Sequence, residues 1–99
     1  MTSAETRKIR SVGVDLQAAD DDTRRVVDAI RQDNPDSRVS QMPGLVRVQT
    51  PGAMVIRRAT VESLLGREWE THEFQMAIVS YFGHISSWDD DEIVIKWEH

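Results

Sequence analysis

Cysteine is absent from this 99-residue chain, which excludes disulfides, thiolate metal sites and cysteine nucleophiles together and fits a reducing compartment. Long apolar runs are also missing, since nothing approaches the roughly 20 residues of a membrane-spanning helix. The first ten residues carry Glu5, Arg7 and Lys8 and no apolar signal core, so a cytoplasmic protein with no membrane partner is expected. Positive charge is in deficit, with 12 Lys and Arg against 17 Asp and Glu and a net charge of −5. Nucleic-acid binding needs a basic patch to neutralise phosphates. Here the arginines are scattered or sit beside carboxylates, which argues against such a partner.

Catalytic motifs are missing as well. The three histidines, His72, His84 and His99, show no i, i+4 pair and no Glu-x-x-His motif. His84, just beyond a helix-ending glycine, is placed for a favourable interaction with the helix dipole. The run Asp89 to Glu92 lacks the alternating ligands and central glycine of a calcium loop. There is no Gly-x-Ser-x-Gly, phosphate-binding glycine loop or dinucleotide fingerprint. The carboxylate pairs lie in surface runs, where nothing tunes them for acid–base work. The expectation is a protein that is not an enzyme and has no metal or cofactor.

What is present is ordinary globular material, 39% hydrophobic and 29% charged, of single-domain length. Residues 1–9 read as a flexible tail and residues 10–99 as one compact domain. Val12, Val14 and Leu16 alternate with polar or small residues as in a half-buried strand. Asp20, Asp21 and Asp22 supply an N-cap and negative charge for a helix running to Asp33, with Val26, Val27 and Ile30 on one face. Pro35 ends it, because the residue before proline avoids the helical region. Three extended pieces follow, 37–41, 45–49 and 53–57, separated by Pro43-Gly44 and Pro51-Gly52. Each Pro-Gly suits the two central positions of a type II turn, so an antiparallel meander is expected. Thr60 is the expected cap of a short helix ended by Gly66. Thr71 is the expected cap of a second helix reaching Phe82, with Gly83 at its C-terminal end. A connection over 85–88 and a last strand built on Ile93, Ile95 and Trp97 complete the order β-α-β-β-β-α-α-β. The fold class is α+β with a mostly antiparallel sheet.

The helix predicted over 71–82 is the most informative element. At about 100° per residue, Phe74, Ile78, Tyr81 and Phe82 form one apolar face. Met76, Val79 and Ser80 fall nearly opposite, where a surface helix is normally charged. Either this flank is covered within the domain, or it is a docking face on which methionine adapts to a partner's surface. The tryptophans pose the same choice. Trp97 is expected in the core, in phase with Ile93 and Ile95, and Trp69 under the turn between the helices. Trp88, in a polar connection, is the one for which exposure to a partner stands as an alternative to a structural role.

From Val12 to Trp97 the chain resembles the coupling (effector) proteins of bacterial multicomponent diiron monooxygenases, those of the phenol hydroxylase, toluene, alkene and methane systems. The residues that carry the resemblance are Asp33-Asn34-Pro35, Gly44-Leu-Val-Arg-Val-x-x-Pro-Gly-x-x-Val-Ile-Arg, Leu64-Leu65-Gly66-Arg67 with Trp69, and Ser80-x-x-Gly83 before an acidic loop. The resemblance implies a cofactor-free regulator that docks on the diiron hydroxylase and promotes productive oxygen activation. It also implies a functional link to an NADH-dependent reductase or ferredoxin. The family's docking segment falls on Ala77 to Gly83. With the uncharged flank, the expected docking residues are Met76, Ala77, Val79, Ser80, Tyr81, Gly83 and His84. Two alternatives stand beside this reading: a generic adaptor domain using the same helix, and an RNA-binding sheet. The RNA-binding sheet has Arg47, Arg57 and Arg58 in its favour but no aromatic on the meander.

Overall fold

The structure, a computed structural model, describes residues 10–18 and 20–97. The expected N-terminal tail over 1–9 lies outside the described residues. Among the described residues ten elements follow one another: β1 (Ser11–Gln17), α1 (Asp21–Asp33), β2 (Arg38–Met42), β3 (Leu45–Pro51), β4 (Ala53–Arg57), α2 (Arg58–Leu65), α3 (Thr71–Ala77), β5 (Ile78–Phe82), β6 (His84–Trp88) and β7 (Glu92–Lys96). The strands form two antiparallel sheets, ordered β2-β3-β1-β5 and β4-β7-β6. The α+β class therefore holds, with two strands more than the sequence reading contained.

Each sheet turns one face inward. Val12, Val14 and Leu16 of β1 and Val46 and Val48 of β3 come from the first sheet. Met54, Ile56, Ile93 and Ile95 come from the second. The same core cluster includes Val26, Val27, Ala29 and Ile30 of α1, Val61 of α2, Trp69, and Phe74 of α3. Trp69 and Trp88 each meet Phe74 edge-on, at centroid distances of 6.4 and 6.3 Å. Trp69 is thus where the sequence placed it, whereas Trp88 belongs to the rim of the core.

Helix α1 begins as its acidic start implies, with Asp20 accepting a hydrogen bond from the Thr23 N–H at 3.1 Å. It ends at Asn34, whose φ of −135° leaves the helical region before Pro35. Both Pro-Gly glycines take the positive φ a type II turn requires, 79° at Gly44 and 78° at Gly52. Only the first turn closes a hairpin. At Pro51 and Gly52 the chain leaves the first sheet, and β4 pairs with β7 instead of β3, so the expected three-strand meander is replaced by β2–β3 alone. β3 takes β1 as its second partner, over all seven residues.

The caps differ in detail. α2 starts straight out of β4, with Arg57 rather than Thr60 at its N-cap and an Arg58–Glu62 pair across its first turn. Glu70 rather than Thr71 caps α3. The Glu73 carboxylate accepts from the Glu70 N–H, and the Thr71 hydroxyl instead donates to the Asp89 carbonyl at 2.6 Å. Trp97 is 37% exposed rather than in the core. β7 stops at Lys96, so the inward phase of Ile93 and Ile95 finds no core beneath position 97. The indole lies instead under the Arg10 guanidinium, 5.1 Å from its ring centroid.

The largest departure concerns the helix predicted over 71–82. Helix α3 ends at Ala77, and the backbone of Ile78 is already extended, at φ −78° and ψ 132°. The rest of the segment pairs with β1 as an edge strand, and β6 takes the place of the expected connection. Gly83 is the corner between the sheets. Its φ of 115° disfavours any side chain, and a Cβ there would lie 2.7 Å from Val12 Cγ1 and 2.9 Å from Ile95 Cγ2.

Candidate functional site

From Phe74 to Trp88 the chain contains no Asp, Glu, Lys or Arg. This uncharged stretch contributes three of the five exposed large hydrophobic side chains among the described residues: Met76 at 79%, Val79 at 53% and Tyr81 at 48%. The expected docking residues lie on three consecutive elements rather than on one helical flank. Met76 and Ala77 close α3, with Met76 outward and Ala77 half-buried against the core. Val79, Ser80 and Tyr81 lie on β5 and are all exposed. Gly83 is the corner, and His84 opens β6 opposite Lys96.

Strand geometry divides what a helix would have grouped. Tyr81 lies opposite Val14 and Ser80 opposite Asp15. Directly paired residues share a sheet face, so Tyr81 sits on the core side of the sheet at its open rim and Ser80 on the outer side. Between Ser80 and Ile78 the register shifts, since Leu16 pairs with Ile78 and Val79 is left as the extra residue of a bulge. Bulges interrupt the ladder and re-aim side chains. Beside this strand, Met76 and Ala77 border an open cleft of about 270 Å³ with Leu16, Val26, Leu65 and Trp69. Arg67 bridges its rim, 3.1 Å from Asp22 and 3.4 Å from Glu73.

On the outer face of the four-stranded sheet is a polar cluster the sequence reading missed. Asp15 is only 5% exposed, near the middle of β1. The Arg47 guanidinium of β3 forks onto it, Nε to Oδ1 at 2.7 Å and Nη2 to Oδ2 at 3.1 Å. The Ser80 hydroxyl donates to Oδ2 at 2.8 Å. The hydrogen bonds from Arg47 hold the Asp15 carboxyl below its ordinary range, and the Ser80 bond adds to this against the cost of burial. Arg47 also lies over the Phe82 ring, 5.3 Å from its centroid. Phe82 in turn covers Gly13, where a Cβ would fall 2.7 Å from Phe82 Cζ and 2.3 Å from the Val48 carbonyl oxygen. The available signal was a lone carboxylate at an outward position of an alternating strand.

The acidic runs are accounted for by structure. The Asp89 carboxylate accepts from the N–H groups of Asp91 and Glu92, which lowers its pKa. The Arg58 N–H donates to the Asp91 carbonyl. Among the described residues, no three His, Asp or Glu side chains converge as a metal site requires, and no helix is long and apolar enough to cross a membrane.

Comparison with known proteins gives a consistent answer. The model of the MmoB/DmpM family matches residues 10–96. The stimulatory component DmpM of phenol 2-monooxygenase from Pseudomonas sp. (strain CF600) is 38% identical over 79 residues, covering 80% of this chain and 87% of that protein. A chain of the phenol hydroxylase–regulatory protein complex superimposes with a TM-score of 0.83 at 32% identity, over 90% of this chain and all of that one. The regulatory protein B of soluble methane monooxygenase shares the fold, with a TM-score of 0.68 at 18% identity over 98% of this chain and 74% of its own.

Proposed function

The chain belongs to the MmoB/DmpM family, and from that premise we propose that it is the non-catalytic regulatory component of a multicomponent monooxygenase. It docks on the diiron hydroxylase of its system and makes oxygen use by that partner productive. Reducing equivalents reach the hydroxylase from a reductase or ferredoxin, with NADH as the source. The chain has no cysteine to protect from reduction, and its place is the cytoplasm, where NADH is available.

One observation carries the docking assignment: the uncharged run that exposes Met76, Val79 and Tyr81 on a molecule otherwise rich in charge. Monomers rarely leave contiguous apolar surface without a use for it. Met76, Val79 and Tyr81 form the centre of the contact. Ala77, Ser80, Gly83 and His84 surround them and bring the backbone close to the partner.

Such a component accelerates its partner only by binding one of its conformations more tightly than the other. Covering Met76, about four-fifths exposed, with Val79 and Tyr81, each about half exposed, releases roughly 3–5 kcal/mol. A tenfold tilt between two hydroxylase conformations requires only about 1.4 kcal/mol of difference. The surface is therefore large enough to bias the partner, and no chemistry of its own is needed.

The direct test is a steady-state assay with the purified hydroxylase and reductase of the same system, titrating this protein. Product formed per NADH consumed rises and saturates, and the protein alone turns over nothing. A flat titration overturns the proposal.

A further inference from the structure

We propose that Asp15, clamped by Arg47, is the positioning residue of the docking strand, fixing the register of β5 and thus the pose in which Val79 and Tyr81 meet the hydroxylase. The inference rests on the functional reading above and concerns residues outside the docking surface itself.

β5 is poorly determined by its own ladder. It is an edge strand of five residues, pairs only with β1, and loses a pairing step at Val79. A slip of one residue transfers every side chain of a strand to the other face. In β5 such a slip would turn Tyr81 to the outer face and Ser80 to the rim, dismantling the exposed apolar run. Backbone pairing alone opposes this weakly beside a bulge.

The outer face supplies what the ladder lacks. Ser80 and Phe82 are the two β5 residues paired on that side, opposite Asp15 and Gly13. Ser80 donates to Asp15 Oδ2, and Phe82 is held between Gly13 and the Arg47 guanidinium. One arginine thus serves both grips, orienting the carboxylate through two hydrogen bonds and covering the ring. With alternate residues held from one side, Tyr81 between them and Val79 just before them are presented from the other.

This ion pair, with Asp15 buried and Arg47 partly open to water, is a poor route to stability, because desolvation of the carboxylate offsets much of the attraction. An apolar pair at positions 15 and 47 would hold the sheet together as well. It would not select Ser80, since only an oriented acceptor distinguishes a hydroxyl from its neighbours. The geometry favours specification of register over strength.

The test uses the full chain in the hydroxylase assay, with Asp15→Asn, Arg47→Met and Arg47→Lys beside wild type and Val79→Asp. Asp15→Asn keeps an acceptor for Ser80 but loses the ionic fork. Arg47→Met keeps an apolar stem over Phe82, and Arg47→Lys restores the charge. Both Asp15→Asn and Arg47→Met raise the half-saturating concentration by about fivefold or more, the scale of a lost charge-assisted hydrogen bond. Maximal product per NADH stays near wild type, and Arg47→Lys recovers part of the loss. Amide hydrogen exchange on the free protein accelerates at Ser80, Tyr81 and Phe82 in Arg47→Met but not at Val55 or Ile95 of the other sheet. That readout holds even if Asp15→Asn proves too unstable to assay. Where wild type stimulates and Val79→Asp raises the half-saturating concentration about tenfold, unchanged half-saturation and unchanged exchange in the Arg47→Met variant overturn the positioning role alone. Absence of stimulation by wild type overturns the functional reading, and the positioning role with it.

Discussion

The amide of Asn34 closes two hydrogen bonds on Val55, donating Nδ2 to its carbonyl at 2.7 Å and accepting its N–H on Oδ1 at 2.9 Å. It also donates to the Ile30 carbonyl at the end of α1. One side chain thus substitutes for a strand neighbour along the open edge of β4 and ties the helix to the second sheet. Of the motif pieces in the sequence, Asp33-Asn34-Pro35 is the one whose role was least visible, because its partner lies 21 residues away. Proline explains the helix stop, and only the fold explains the asparagine. Replacing Asn34 by Ala leaves a part-buried N–H and carbonyl without partners, which lowers the unfolding free energy by about 2–3 kcal/mol. Denaturant unfolding measures it, and a loss under about 0.5 kcal/mol contradicts the bridging role.

At the scale of elements, the segment from Thr71 to Trp88 separates what local pattern decides from what pairing decides. Helix spacing from Phe74 to Phe82 was genuine, but short apolar runs fit helix and strand alike. Ile78 and Val79 are β-branched, Tyr81 and Phe82 aromatic, and a glycine follows before Ile85, a composition that favours strand–corner–strand. The deciding contact is with β1, more than 60 residues earlier, and no local period reveals it. The meander failed for the same reason, since the choice of β7 as the partner of β4 is also distant in sequence. Met76 and Val79 are exposed, as on the flank of the expected helix, whereas Tyr81, expected on that helix's core face, is exposed because a strand carries it. Val79, unpaired in the bulge and 53% exposed, is where a charge disturbs the monomer least. Val79→Asp therefore changes stability by no more than about 0.5 kcal/mol. It raises the half-saturating concentration for the hydroxylase about tenfold or more, because an unpaired carboxylate is then buried at the contact. Thermal unfolding and the coupling assay together check this, and unaltered stimulation moves the docking surface elsewhere.

Over the whole molecule, charge is distributed unevenly in a way that bears on encounter. The net charge is −5, and the acidic groups flank the uncharged stretch without entering it: Asp20 and Asp22 line the same cleft as Met76 and Ala77, and Asp89 directly follows Trp88. Many are already engaged within the chain, Asp22 with Arg67, Glu92 with Arg57 and Asp89 with its own loop. Ion pairs across an interface make association fall steeply with salt, whereas apolar contact is insensitive to screening. If Met76, Val79 and Tyr81 form the centre of the contact, the half-saturating concentration shifts less than about threefold between roughly 0.05 and 0.5 M sodium chloride. Titrations of the hydroxylase assay at the two salt levels decide it, with wild-type turnover as the internal reference. A shift of tenfold or more transfers the energetic centre of docking from the uncharged strand to the acidic loops that flank it.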